Sequence, residues 1–272
     1  MQDISGVYAA LQEPKKIVIT THQKPDGDAM GSSLGLYHFL TAGGHSVQVI
    51  SPTNWADFLQ WMPGVDHVLD FEKQTAQSEQ CLADANFIFC LDFNTLSRTK
   101  TMIAALEKHI GKLILIDHHQ QPQTAAFIYG VSNTAKSSTC EMVYDFIVAS
   151  PQAHLLNTHI ATCLYTGMMT DTGSFRFPAT TASVHRAVAH FMEIGINHTS
   201  IHSQIFDSGS EHRLRFLGHV LTNRMEVYYE YNTATFCITA ADIHKFHIKT
   251  GDTEGLVNFL LSMAGIRFAA IV

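Results

Sequence analysis

The sequence lacks the marks of several large protein classes. Its five cysteines, Cys81, Cys90, Cys140, Cys163 and Cys237, are scattered, odd in number and form no C-x-x-C pair. Cys90 and Cys163 lie in apolar runs and read as reduced core residues, which favours a reducing, cytoplasmic setting. No apolar run approaches the ~20 residues of a membrane helix. The first residues, Met1-Gln2-Asp3-Ile4-Ser5, lack the basic and apolar regions of a signal peptide. Basic charge is also scarce: 17 Lys and Arg stand against 24 Asp and Glu, a net charge of −7. No basic stripe is visible, so a protein that tracks long nucleic acid is disfavoured. A small or short anionic substrate remains compatible, because bound divalent metals would reverse the local sign. There is no G-x-x-x-x-G-K-[ST] loop, no G-x-G-x-x-G, no G-x-S-x-G elbow, no repeat and no low-complexity tract.

What is present is an ordered composition, 46% hydrophobic and 15% charged over 272 residues, enough for a full core and for two domains. Apolar β-branched runs predict strands at 17–21, 47–50, 86–91, 112–116 and, more weakly, 126–129. Amphipathic stretches between them predict helices at 30–42, 99–109, 138–148, 155–169 and 183–194. This alternation predicts an α/β fold with a mostly parallel sheet and helices on both faces. Gly43-Gly44 reads as a helix stop, and Gly31-Ser32-Ser33-Leu34-Gly35 as a stretch that allows close packing. The character changes after Gly195. Short helices at 201–206 and 211–223 read as a linker over 196–223. Strands at 225–231 and 234–239, joined at Asn232-Thr233, a helix at 256–263 and a strand from Gly265 open a second α/β domain over 224–272. That second domain is expected to be incomplete, since domains rarely end on an apolar run such as Phe268-Ala269-Ala270-Ile271-Val272.

Three of the buried-strand patterns in the first 195 residues end in carboxylates or imidazoles. The run 17–21 leads into His22-Gln23-Lys24-Pro25-Asp26-Gly27-Asp28, the run 87–91 into Asp92, and the run 113–116 into Asp117-His118-His119. In an open α/β sheet the carboxyl ends of the strands border one crevice, where ligands bind. Each feature also has a plainer reading: an Asp-rich turn with Asp28 as a helix N-cap, a strand-end Asp92 capping a turn, a satisfied polar turn at 117–119. Asp171, in Met169-Thr170-Asp171-Thr172-Gly173, reads alone as a helix-end loop residue. Trp55 and Trp61 either stack on a base or pack on their own domain. Of the 17 histidines, most, such as His38, His45, His109 and His198, have no acidic or histidine company and read as surface or helix-end residues. Taken together the carboxylates and imidazoles are oxygen-rich with no thiolate, which favours manganese or magnesium over structural zinc. Such a set suits a two-metal centre with ions ~3.5–4 Å apart, the kind that cleaves phosphate esters.

In this order the motifs resemble the DHH phosphoesterase family. The match runs through Thr20-Thr21-His22, Pro25-Asp26-Gly27-Asp28-Ala29, Gly31-Ser32, Leu91-Asp92, Ile116-Asp117-His118-His119 and Thr170-Asp171-Thr172-Gly173. The string from Met169 to Arg176 is most similar to the bifunctional oligoribonuclease and pAp phosphatase (nanoRNase) branch. The resemblance implies that His22 and Asp26 bind a first metal, that Asp28, His118 and Asp171 bind a second, and that Asp92 bridges them. It implies that Asp117 orients His118, that His119 contacts the scissile phosphate or leaving oxygen, and that Arg98 and Arg176 contact phosphate or are plain surface charge. The activity implied is hydrolysis of short oligoribonucleotides and 3′-phosphoadenosine 5′-phosphate (pAp) by water activated at two Mn2+ or Mg2+ ions. Members of the branch carry a GGGH-type substrate-gripping motif in a second domain, and this sequence contains none. Rival activities within the family are cyclic-dinucleotide phosphodiesterase, pyrophosphatase or polyphosphatase, and RecJ-type exonuclease. A non-catalytic nucleotide-binding regulator on the same fold is the alternative of a different kind.

Overall fold

The computed structural model describes residues 1–272, which divide into two compact units, Met1–Trp55 with Leu59–His202, and Ser203–Val272 with Ala56–Phe58. In chain order the first unit carries β1 (Gln2–Asp3), α1 (Val7–Ala10), β2 (Lys16–Thr20), α2 (Gly27–Ala42), β3 (Ser46–Ser51), β4 (Leu69–Asp70), α3 (Thr75–Asp84), β5 (Phe87–Leu91), α4 (Ile103–Glu107), β6 (Leu113–Asp117), β7 (Tyr129–Ser132), α5 (Thr139–Val148), α6 (Thr158–Asp171) and α7 (Ala182–Ile194). Helix α8 (His198–Phe206) follows across the boundary between the units.

The strands form one sheet in the order β1-β7-β6-β5-β2-β3-β4, with every pair parallel. The order explains where a ligand can sit. From β2 the chain builds outward through β3 and β4, then returns to lay β5 on the other side of β2 and builds outward through β6 and β7. Adjacent connections therefore diverge between β2 and β5, and a crevice opens at the carboxyl ends of those strands. The expectation of a mostly parallel α/β sheet holds, and no helix is long and apolar enough to cross a membrane.

The sheet is buried on both faces, which is why its strands read as continuous apolar runs. Val18, Ile88, Cys90, Leu113 and Leu115 pack on one face against Leu82, Met102 and Leu106. Their alternates Ile17, Ile19, Phe89, Ile114 and Ile116 are equally buried on the face covered by α2 and α5, on which α6 packs in turn. Several elements depart from expectation. The helix predicted over 99–109 is a 3-10 stretch, Leu96–Met102, followed by the short α4, with a break at Lys100 (φ 45°). The Thr99 and Thr101 hydroxyls donate to the carbonyls of Leu96 and Pro52, competing with regular helix there. The strand expected at 126–129 begins at Tyr129, because a 3-10 turn occupies Thr124–Ala126.

Helices α2 and α6 approach closely because glycines line the contact. A β-carbon on Gly31 would sit 2.6 Å from the Cys163 carbonyl oxygen, and one on Gly35 2.6 Å from Leu164 Cδ2. One on Gly27 would run into the Thr170 side chain. The helices run antiparallel, so the start of α2 meets the end of α6, and Asp28 and Asp171 come to the same place.

The second unit has its own core. Helix α9 (Glu211–Asn223) precedes β8 (Met225–Tyr228), β9 (Thr233–Phe236), α10 (Ala240–Lys245), α11 (Leu256–Leu261) and β10 (Phe268–Ile271). Strand β9 is central, antiparallel to β8 and parallel to β10. Phe216 and Val220 of α9 pack with Ala234, Phe236, Leu256, Leu260 and Ile266. The turn between β8 and β9 places Asn232 in the left-handed region (φ 48°), where asparagine is tolerated.

Gly31→Ala is expected to lower the unfolding free energy by about 1–3 kcal/mol, because the new methyl meets a backbone carbonyl that cannot swing aside. The loss should appear despite the ~1 kcal/mol that alanine gains over glycine inside a helix. Urea unfolding of the two proteins checks this, and an unchanged or raised midpoint would contradict the close-packing account.

Candidate metal centre

Three adjacent central strands, β6, β5 and β2, deliver the polar residues to one edge. His22 follows β2, Asp92 follows β5, and Asp117, His118 and His119 lie at and after the end of β6. The His22 Nδ1–H donates to the Gln23 carbonyl at 2.8 Å, which leaves Nε2 with its lone pair. That Nε2 lies 3.4 Å from Asp92 Oδ2 and 3.9 Å from Asp26 Oδ2. Asp26, not Asp28, is the N-cap of α2: its Oδ1 accepts from the amides of Asp28 and Ala29, both at 3.0 Å.

Asp28 sits inside the first turn of α2 and is buried. Its carboxylate accepts from the Thr139 amide at 2.7 Å and the Cys140 amide at 2.9 Å, so it faces the N-terminus of α5. There the helix dipole favours negative charge. Asp92 occupies the left-handed region (φ 64°), a conformation that aspartate tolerates better than most residues, and is also buried. Its two oxygens face opposite ways. Oδ2 points toward His22, whereas Oδ1 accepts from the Thr139 hydroxyl at 2.9 Å and lies 3.6 Å from His118 Nε2. His118 Nε2 is also 3.5 Å from Asp171 Oδ2 and 3.9 Å from Asp28 Oδ2.

Three overlapping groups result, His22–Asp26–Asp92, Asp28–His118–Asp171 and Asp92–His118–His119, each with its ligand atoms within 4.8 Å of one another. Asp92 is shared by the first and third. The His119 position carries a correction. Asp117, fully buried, accepts from His119 Nδ1–H at 2.7 Å and from the His119 amide at 3.2 Å. It therefore orients His119 rather than His118, whose ring is hydrogen-bonded to the Lys136 backbone instead.

The electrostatics are those of a site built for cations. Burial holds the Asp28 carboxyl well above the usual range, and the charges of Asp92 and Asp26 push it further, against the opposing Cys140 amide. Asp92 is raised by burial, then by Asp26 and Asp171, with the Thr139 hydroxyl opposing. Asp171 is pushed up to about 8, first by burial and then by Asp28 and Asp26. Burial and the neighbouring His119 hold His118 below its ordinary value, so its ring favours the neutral, ligating form. Buried carboxylates that raise one another in this way lack positive charge, and divalent cations are what such a donor set accommodates. The site fits metal.

The two arginines lie at its margins. Arg98 enters through its backbone carbonyl, which accepts from the Gln23 amide beside His22 at 3.0 Å. Arg176 is exposed, and its Nε donates to the Gly173 carbonyl at 2.7 Å, within its own loop. Sequence reasoning missed Thr139 and Cys140 altogether. The Ser138-x-x-Glu141 pattern marks a helix start, but nothing local says that this start faces the crevice.

The model of the DHH family N-terminal domain matches residues 16–168, a span holding every residue of the three groups except Asp171. The chain belongs to the DHH family. Among its relatives is the bifunctional oligoribonuclease and PAP phosphatase NrnA of Thermus thermophilus, 33% identical over 201 residues. That match covers 72% of this chain and only 55% of the relative, so the chain spans about half the length of that protein. A solved exopolyphosphatase-related protein from Bacteroides fragilis is 37% identical with a TM-score of 0.92, covering 98% of this DHH chain and 79% of the other. The exonuclease RecJ, solved bound to manganese, shares the fold at 12% identity and a TM-score of 0.53, over 99% of this chain and 80% of RecJ.

The raised Asp171 carboxyl gives this DHH centre a defined pH dependence without metal. The folded pKa near 8 lies above the unfolded 3.8. Between these values the folded state binds the extra proton, so stability is fully present at low pH and falls as pH rises through that window. Asp171→Asn keeps the neutral form at every pH. The metal-free variant is therefore expected to match the parent near pH 4 and to melt at a higher temperature at pH 8. Thermal unfolding with chelator at both pH values reads this, and parallel melting curves at pH 8 would contradict it.

Proposed function

We propose that this chain is the catalytic part of a divalent-metal-dependent phosphoesterase acting on short oligoribonucleotides and pAp. The observation that carries the reading is the shared Asp92, whose opposite oxygens face His22 on one side and His118 on the other. A single carboxylate placed between two ligand groups suits a centre that would hold two ions. The activity for which the Thermus relative is named supports the substrate class. The oxygen and imidazole donors, with no thiolate, favour manganese, with magnesium as the second choice. The five free cysteines suit a reducing cytoplasm.

In this reading His22, Asp26 and Asp92 would hold one ion, and Asp28, His118, Asp171 and Asp92 the other. When bound, the ions neutralise the phosphate and lower the pKa of the attacking water. The protein's own part is positional. Asp117 fixes His119 through Nδ1, which leaves Nε2 to face a phosphate oxygen. From there it can hold or pass a proton to the leaving oxygen as the ester bond breaks. The imidazolium that gives up this proton, having first taken it at Nε2 from water, is stabilised by Asp117 at the end of β6. A second reading is favoured by one relative, the exopolyphosphatase-related chain of Bacteroides fragilis: the same centre would then cleave inorganic polyphosphate or pyrophosphate.

A substrate panel separates these readings. With Mn2+, turnover is expected on pAp and on di- to pentaribonucleotides, and it should vanish on chelation. Preference for pyrophosphate or polyphosphate would move the assignment to the second reading, and preference for cyclic di-AMP to a cyclic-dinucleotide enzyme. Full activity after prolonged dialysis against chelator would end the metal reading, and metal binding without any turnover would leave a nucleotide-binding regulator.

His119→Ala is expected to keep its metals and lose ~10²–10⁴ in kcat, the usual contribution of a positioned acid–base group. Metal content by elemental analysis accompanies the rate. A variant that loses one ion would make His119 a ligand instead, as its place in the Asp92–His118–His119 group allows.

A further inference from the structure

The two buried carboxylates that anchor the two ligand groups lie on different elements, Asp28 on α2 and Asp92 after β5. Thr139, outside the ligand groups, donates hydrogen bonds to both. The Thr139 amide donates to Asp28 Oδ2 at 2.7 Å and the Thr139 hydroxyl donates to Asp92 Oδ1 at 2.9 Å. We propose that Thr139 is a positioning residue shared by both metal sites, its hydroxyl setting which lone pairs of Asp92 remain for the ions. The proposal rests on the metal-dependent reading of this centre.

Three observations support it. First, Thr139 has no capping duty to explain its hydroxyl. Ser138 is the N-cap of α5, its side chain accepting from the Glu141 amide. Thr139 is the first residue of the helix, and its hydroxyl points away from the cap toward Asp92.

Second, Thr139 is rigidly held. It is fully buried. The turn before it is tied by Glu141, whose buried carboxylate accepts from the Ser137 amide and hydroxyl, both at 2.8 Å, from Lys136 Nζ at 3.0 Å and from the Ser183 hydroxyl at 2.6 Å. A β-branched side chain on such a turn has few rotamers to choose from.

Third, the lone pairs divide in a useful way. A carboxylate offers about four acceptor directions. On Asp28 the Thr139 and Cys140 amides take one direction on each oxygen. On Asp92 the Thr139 hydroxyl takes one direction on Oδ1, the oxygen that faces His118, and leaves Oδ2 open toward His22. Without the hydroxyl, Asp92 is free to rotate about its side-chain bonds and to offer both oxygens to one ion. Orientation of a ligand by its hydrogen-bond partner is typically worth ~10–100-fold in metal affinity.

The test compares Thr139→Val, which has nearly the same shape and keeps the backbone N–H, with Thr139→Ser, which restores the hydroxyl. Chelator-stripped proteins are titrated with Mn2+ while free Mn2+ is followed by its paramagnetic resonance signal. Thr139→Val is expected to weaken both binding events by ~10–100-fold. Thr139→Ser should bind within a few-fold of the parent and recover its kcat on pAp. Unchanged affinity in Thr139→Val would overturn the proposal, as would weakening confined to one event, or equal weakening in the serine variant. If the valine variant does not fold, Thr139→Ala is measured in its place against the same outcomes. A parent protein that binds no Mn2+ would overturn the metal reading itself and this proposal with it.

Discussion

Carboxylates crowded together repel one another, and the first unit nonetheless holds the buried Asp28 and Asp92 beside the partly exposed Asp26 and Asp171. Each is held by a different device. Asp26 is spent partly as a helix cap, Asp28 is met by two amides of α5, Asp92 is fixed by a left-handed backbone and a buried hydroxyl, and Asp171 rides on the end of α6. None of these restraints supplies a full positive charge. They fix geometry while leaving the charge uncompensated, the condition in which a cation gains most from entering.

The parallel sheet sets the scale of this arrangement. Neighbouring strands lie about 4.8 Å apart, so residues leaving the ends of β2, β5 and β6 arrive already within reach of one another. The glycine-lined contact of α2 with α6 adds the remaining carboxylates from the side. The site thus belongs to the scaffold rather than to a flexible loop, and its ligand spacing follows from strand and helix packing.

Much of this was legible in the sequence because the signals were local. Apolar runs ending in His22, Asp92 and Asp117 marked the strands and their common edge, and the order of the motifs marked the family. The misses have physical causes. Two-residue strands such as β1 and β4 are too short to show a period. Helix α3 buries only Ser78 and Leu82, so its apolar face is faint. The partner of Asp117 was misread because adjacent histidines after a strand point in different directions, and only the backbone turn decides which one folds back. Thr139 was invisible for a different reason: its contacts span 111 residues to Asp28 and 47 to Asp92, and no periodicity carries such a pairing.

The pairing of β2 with β5, Ile17 beside Phe87, joins residues far apart in the chain, and the ligand set exists only once that pairing is made. A metal ion finds no comparable site in the unfolded chain. The binding free energy of an ion held there would therefore add to the stability of the native sheet by mass action, growing with the logarithm of free ion concentration over the dissociation constant. An ion held there would act as a thermodynamic fastener across the centre of the fold, and the supply of metal would set how firmly the first unit holds together.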